Sequence, residues 1–89
     1  MGWKVEFDQT ALRDLERFDV QDARRILRFL QERVALRDNP RAIGEALRGS
    51  RFSGMWKYRV GRYRIVCEIQ DEKVTVLVVR IGHRREIYR

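Results

Sequence analysis

The sequence predicts a small α+β domain, with an N-terminal strand and a helical hairpin packed on an antiparallel β-sheet in the order β-α-α-β-β-β. Three observations predict it. Trp3, Val5 and Phe7 alternate with Lys4, Glu6 and Asp8, which is the period of a half-buried strand. Apolar residues then recur at helical spacing from Ala11 to Val34. After Gly49 only strand and turn patterns remain. With 89 residues and no linker, repeat or low-complexity segment, the chain reads as one domain, residues 1–89.

Each element has its own local cause. Asp8-Gln9-Thr10 supplies helix-capping oxygens, and Phe7, Ala11, Leu12, Leu15 and Phe18 place a short helix from Thr10 to Phe18. Asp19 opens a second helix, whose apolar stripe is Val20, Ala23, Ile26, Leu27, Leu30 and Val34. It ends near Arg37-Asp38-Asn39-Pro40, where the single proline marks a turn. A third helical turn is expected over Ala42 to Leu47. Strands follow at Met55 to Val60, Tyr63 to Ile69 and Val74 to Ile81. Gly61-Arg62 suits a two-residue hairpin turn with glycine first, and Asp71-Glu72 is expected to close the next hairpin.

Composition narrows the function. The one cysteine, Cys67, permits no internal disulfide, which fits a reducing cytoplasm. The N-terminus lacks the apolar core of a signal peptide, and no apolar run approaches the roughly 20 residues of a membrane span. A soluble cytoplasmic protein without membrane contact is therefore expected. Residues 1–47 hold nine Lys/Arg and nine Asp/Glu, whereas residues 48–89 hold eleven and four. The whole net charge of +7 thus lies in the second half. A one-sided positive field attracts nucleic acid or an acidic protein.

The Gly61-Arg62 turn fixes which residues face each other. Val60 should face Tyr63, Tyr58 face Ile65 and Trp56 face Cys67, all on the side that packs on the helices. The other side sets Arg59 against Arg64 and Lys57 against Val66. Like charges directly opposite destabilise a sheet, so function is the expected reason for them. With Asp71-Glu72 as the second turn, Leu77 should lie opposite Val66 and Val79 opposite Arg64. Val66, Leu77 and Val79 would then form an exposed apolar strip, suited to a partner protein.

The tail carries reactive groups. Arg80-Ile81-Gly82-His83-Arg84-Arg85-Glu86-Ile87-Tyr88-Arg89 brings the single histidine, adjacent arginines and a tyrosine to the end of the third strand of the meander. Metal-free RNA cleavage needs a base, an acid, cations on the phosphorane and a stacking surface. Lys57, Arg59, Arg64, His83, Arg84 and Tyr88 could supply all four, with Arg48, Arg51, Arg62 and Arg85 as further RNA contacts. One His and one Cys give no zinc-ligand spacing, and no Asp/Glu cluster suits magnesium. No metal or other cofactor is expected. Set against this chemistry, a lone histidine is more often structural, a terminal tyrosine more often packs, and arginines can bind phosphate without cutting.

Leu47-Arg48-Gly49, the run Trp56-Lys57-Tyr58-Arg59-Val60-Gly61-Arg62-Tyr63-Arg64-Ile65-Val66, and Gly82-His83-Arg84-Arg85-Glu86-Ile87-Tyr88 resemble the RelE/ParE toxin superfamily. Their order and spacing cover nearly the whole chain. The resemblance is nearest to RelE-type mRNA interferases of type II toxin–antitoxin pairs. It implies a RelE-like fold, cleavage of mRNA on the ribosome by 2′-hydroxyl attack, and silencing by an acidic, RelB-like antitoxin. Carried across, Lys57 and Arg59 match two basic positions of the active strand and Arg64 the phosphate-binding arginine. Arg84 matches the arginine after the Gly-x pair, and Tyr88 the stacking tyrosine. Position 59 departs from the RelE type, which carries a lysine base there. Arginine is a poor base, so proton transfer is expected of Lys57 or His83. ParE-like relatives share the fold but poison DNA gyrase, and a basic RNA-binding domain without chemistry is a third reading.

Overall fold

The computed structural model describes residues 2–48 and 54–83. Strand β1 (Lys4–Phe7) leads into helix α1 (Gln9–Glu16) and helix α2 (Val20–Phe29). Asp8 caps α1 by accepting from the Thr10 N–H at 2.7 Å, whereas Asp19 occupies the N-cap of α2 without a side-chain hydrogen bond. Helix α2 runs on into a π-helical turn, Leu30–Val34. The backbone N–H of Trp3 donates to Ala35 O at 2.6 Å, tying the end of that turn to the start of β1.

The sheet is mixed and five-stranded, in the order β1-β5-β4-β3-β2. Strand β1 joins it as a parallel edge beside β5 (Thr75–His83). The central meander of β3 (Trp56–Val60), β4 (Tyr63–Gln70) and β5 is antiparallel, as the sequence predicts. The expected helical turn over residues 42–47 does not form. A short 3-10 turn at Pro40–Ala42 is followed by a two-residue strand, β2 (Glu45–Ala46), paired with β3. Gly44 makes this possible at φ +84: a Cβ there would lie 2.5 Å from Lys57 O. Trp56 Nε1–H donates to Ile43 O at 2.8 Å, and the Tyr58 hydroxyl to Pro40 O at 2.7 Å. These bonds lay the segment along β3.

The first hairpin keeps the expected register throughout, and Gly61 takes φ +58 at the first turn position. The second does not. Its turn is Asp71–Lys73 plus Val74, which adopts the left-handed conformation at φ 48. Leu77 therefore faces Glu68 rather than Val66. A β-bulge between Val66 and Cys67 leaves Val79 as the extra residue, so Arg64 faces Gly82 and Tyr63 faces His83. A buried carboxylate supports the bulge: Asp14 of α1 accepts from the Ile81 N–H at 2.8 Å and from Arg80 Nε at 3.0 Å.

Two apolar clusters hold the layers. The larger lies between helices and sheet and includes Ala11, Ile26, Leu30, Val34, Tyr58, Ile65, Cys67, Val76, Val78 and Ile81. The smaller lies on the opposite face, where Leu47 and Val66 are buried with Met55 and Val79 against them. The expected exposed strip is thus largely covered. Val66 is fully buried, and Leu77 and Val79 are half-buried. Among the described residues no helix is long and apolar enough to cross a membrane.

Candidate active site

Alternation along β3 and β4 sends Lys57, Arg59 and Arg64 to the face away from the helices, and the register sets Arg59 directly against Arg64. These three line a cleft of about 60 Å³ together with Gly44, Glu45 and Tyr58. Glu45 enters from β2, and its carboxylate lies 3.7 Å from Lys57 Nζ. Because Gly44 has no side chain, the backbone of residues 43–45 lies close against β3 and forms one wall.

Arg64 is the least ordinary member. The residue is only 5% exposed, and its buried Nε has no hydrogen-bond partner among the described residues. A buried guanidinium normally has its donors satisfied, because desolvating a charge costs several kcal/mol. Two cations held opposite each other, one of them desolvated, form a seat for an anion with dispersed charge. A phosphate, or the phosphorane formed during its transesterification, fits that description.

The other expected site residues divide. Arg48 is exposed just beyond β2, and Arg62 is exposed at the β3–β4 turn. Arg51, Arg84, Arg85 and Tyr88 lie outside the described residues. His83 does not join the cleft. It pairs with Tyr63, and its ring stands edge-on to the Tyr63 ring, with centroids 5.9 Å apart. Tyr63 in turn packs on Phe18 of the helical layer at 4.6 Å and donates to Asp22 at 2.8 Å. That hydrogen bond holds the Tyr63 phenol above its usual pKa. By strand alternation His83 is on the helix side and Arg64 on the other.

Gly44 and Glu45 belong to the cleft but are missed by sequence reasoning. The sequence signal for them is the glycine between Ile43 and Glu45, which falls inside the expected helical turn. Among the described residues, no three His, Cys, Asp or Glu side chains are grouped as metal ligands.

In sequence and fold the chain is similar to known toxins. A family profile described as ParE toxin of type II toxin-antitoxin system, parDE, matches residues 5–88. The chain is 34% identical to Toxin RelG of Mycobacterium tuberculosis, over 100% of this chain and 99% of that protein. It is 30% identical to the mRNA interferase toxin RelE of Escherichia coli, over 99% of this chain and 92% of that one. Among solved structures, the toxin-antitoxin complex RelBE2 of M. tuberculosis contains a chain that matches at TM-score 0.83 and 30% identity. That match covers 94% of this chain and 93% of the other.

Proposed function

This chain belongs to the RelE/ParE toxin superfamily of type II toxin–antitoxin systems, and from that premise we propose that it is a ribosome-dependent mRNA endonuclease working without a metal. The observation that carries the reading is the buried Arg64, with its unpartnered Nε, set against Arg59 in a cleft that also holds Lys57 and Glu45. A protein that only bound RNA through surface charge would have no need to desolvate one of its cations.

The reaction is attack by the ribose 2′-hydroxyl on the adjacent phosphorus. The P–O5′ bond breaks, leaving a 2′,3′-cyclic phosphate and a free 5′-hydroxyl. Arg64 and Arg59 bind the non-bridging oxygens, whose charge grows in the transition state. Glu45, the carboxylate lining the cleft, accepts the 2′-hydroxyl proton, and Lys57 donates to the leaving 5′-oxygen. Tyr88 keeps the stacking role that the resemblance implies, and Arg84 stabilises the leaving group or the transition state. His83 is not assigned a proton-transfer role, since its ring packs on Tyr63. The donor set supports metal independence, because the chain has one His and one Cys and, among the described residues, the cleft offers a single carboxylate.

The partner is an acidic, RelB-like antitoxin produced alongside this protein in the cytoplasm, and mRNA on the ribosome is the substrate. One solved relative is a toxin-antitoxin complex, which supports that partner. Leu77 and Val79 remain the apolar contacts proposed for it, whereas Val66 is fully buried beneath Val79. The ParE description of the matching family favours one competing reading, a gyrase poison with no chemistry of its own. Substituting Arg64→Ala and Arg84→Ala separates the readings. Turnover of ribosome-bound mRNA should drop at least about 100-fold for Arg64→Ala, while RNA binding falls far less. Growth inhibition that survived both substitutions would remove both residues from catalysis.

A further inference from the structure

The helical layer holds a second cationic feature that cleavage chemistry leaves unused. Arg25 and Arg28 of α2 and Arg33 of the π-helical turn line one groove of about 320 Å³ where the helix overhangs the end of β3. Phe29 and Val60 contribute apolar surface to it. At 1.5 Å rise per residue, the three arginines spread over about 12 Å along the helix. Among the described residues none of the three is ion-paired with a carboxylate, although Glu32 lines the same groove. Crowded like charges on one helix face weaken it, so this cluster is not there for the helix's sake.

Two details join the groove to the reaction cleft. Arg59 lines both. Strand β2 pairs only with Trp56 and Lys57, so among the described residues the Tyr58–Val60 edge of β3 carries no strand between the two depressions. Gly61 adds a third: a Cβ there would lie 3.1 Å from Arg25 Nη1, so the bare turn lets that guanidinium lie against it.

We propose that this groove is a second RNA-backbone track, continuous with the cleft through Arg59, in which Arg25, Arg28 and Arg33 take phosphates and Phe29 and Val60 seat a base. Cationic walls over apolar surface are what single-stranded RNA binds without sequence preference. Continuity with a phosphate-binding cleft favours RNA over an acidic peptide. The inference rests on the RNA-cleavage reading and names a further part of its substrate surface. The phosphates come either from the cleaved strand beyond the scissile bond or from ribosomal RNA.

The test uses the full chain with Arg25→Gln, Arg28→Gln and Arg33→Gln together, and a second variant with lysine at the same three positions. Arg25, Arg28 and Arg33 are exposed, and glutamine is a good helix former, so circular dichroism should be unchanged. Binding of a fluorescent 2′-O-methyl RNA oligonucleotide, and separately of purified small ribosomal subunits, is measured across a salt series. The glutamine variant should lower the slope of log affinity against log salt by about 2, at roughly 0.7 per lost single-strand phosphate contact. The lysine variant should keep it. A change seen with the oligonucleotide assigns the track to the cleaved strand, and a change seen only with ribosomal subunits assigns it to ribosomal RNA. Unchanged slopes on both probes overturn the inference and, if the wild type still cuts mRNA, leave the function standing. Unchanged slopes with lost binding to an acidic antitoxin overturn it in favour of a protein interface. A wild type that neither binds nor cuts RNA overturns the functional reading and the groove with it.

Discussion

At the scale of single residues, the role proposed for Arg64 sets function against stability. Its guanidinium faces Arg59 across the hairpin and is almost wholly removed from water, with Nε unpartnered. Replacing a buried unpaired charge by an apolar side chain of similar length usually stabilises a fold. Arg64→Met should therefore raise unfolding stability by about 1–2 kcal/mol, read as a higher midpoint in urea, while RNA cleavage is lost. A fall in stability would mean that Arg64 is satisfied by the fold and is not held for substrate. This pairing was readable from sequence because one tight turn, Gly61-Arg62, dictates every partner in the hairpin. The burial was not, because Leu47 and the residue 43–45 segment that cover this face are remote in sequence.

Tyr58 and Cys67 make a second residue-level prediction. Burial pushes both groups above their ordinary pKa values, and Tyr58 also donates to Pro40 O at 2.7 Å. The folded chain thus holds these protons more tightly than the unfolded chain does. Their contribution is complete below the unfolded values of about 8.5 for cysteine and 10 for tyrosine, and it is lost as pH rises past them. The melting temperature should stay level to about pH 8 and fall above it. Cys67→Ala should remove the earlier part of the fall and Tyr58→Phe the later part. A melting temperature that declined identically in both variants would place the alkaline sensitivity elsewhere.

At the scale of elements, the β-bulge in β5 decides which groups meet. A one-residue shift in a strand turns every later side chain to the other face. Without the bulge His83 would share a face with Arg64; with it, His83 meets Tyr63. Sequence reasoning missed this for two reasons. Val74 takes a left-handed conformation that β-branched residues rarely adopt, so the turn is longer than Asp71-Glu72 suggests. The bulge itself is held by Asp14, 67 residues before Ile81. Asp14→Ala removes a buried acceptor from the Ile81 N–H and from Arg80 Nε, and should cost about 2–3 kcal/mol. Asp14→Asn should recover part of that loss. Urea denaturation checks both, and a change below about 0.5 kcal/mol would mean that the bulge stands without its carboxylate. The helical hairpin and the meander, by contrast, follow from local periodicity and caps, and the sequence predicts them nearly to their ends.

At the scale of the whole molecule, the count of charges along the chain is only a partial guide to the charged surface. The excess falls in residues 48–89, and the cleft arginines Arg59 and Arg64 lie there. Yet the electrically neutral first half carries Arg25, Arg28 and Arg33 in one groove, a segregation that only the folded helix makes visible. The superfamily was readable because its motifs keep their order along nearly the whole chain. The proposed catalytic division of labour was not, because it rests on a glycine wall, a bulge and a carboxylate that no motif marks. The central claim is RNA cleavage on the ribosome, and the most direct measurement maps mRNA ends in a translating extract supplied with the wild-type chain or with Arg64→Ala. The account predicts codon-positioned cuts ending in 2′,3′-cyclic or 3′-phosphate with the wild type and their absence with the variant. Intact mRNA beside stalled DNA gyrase complexes would contradict it.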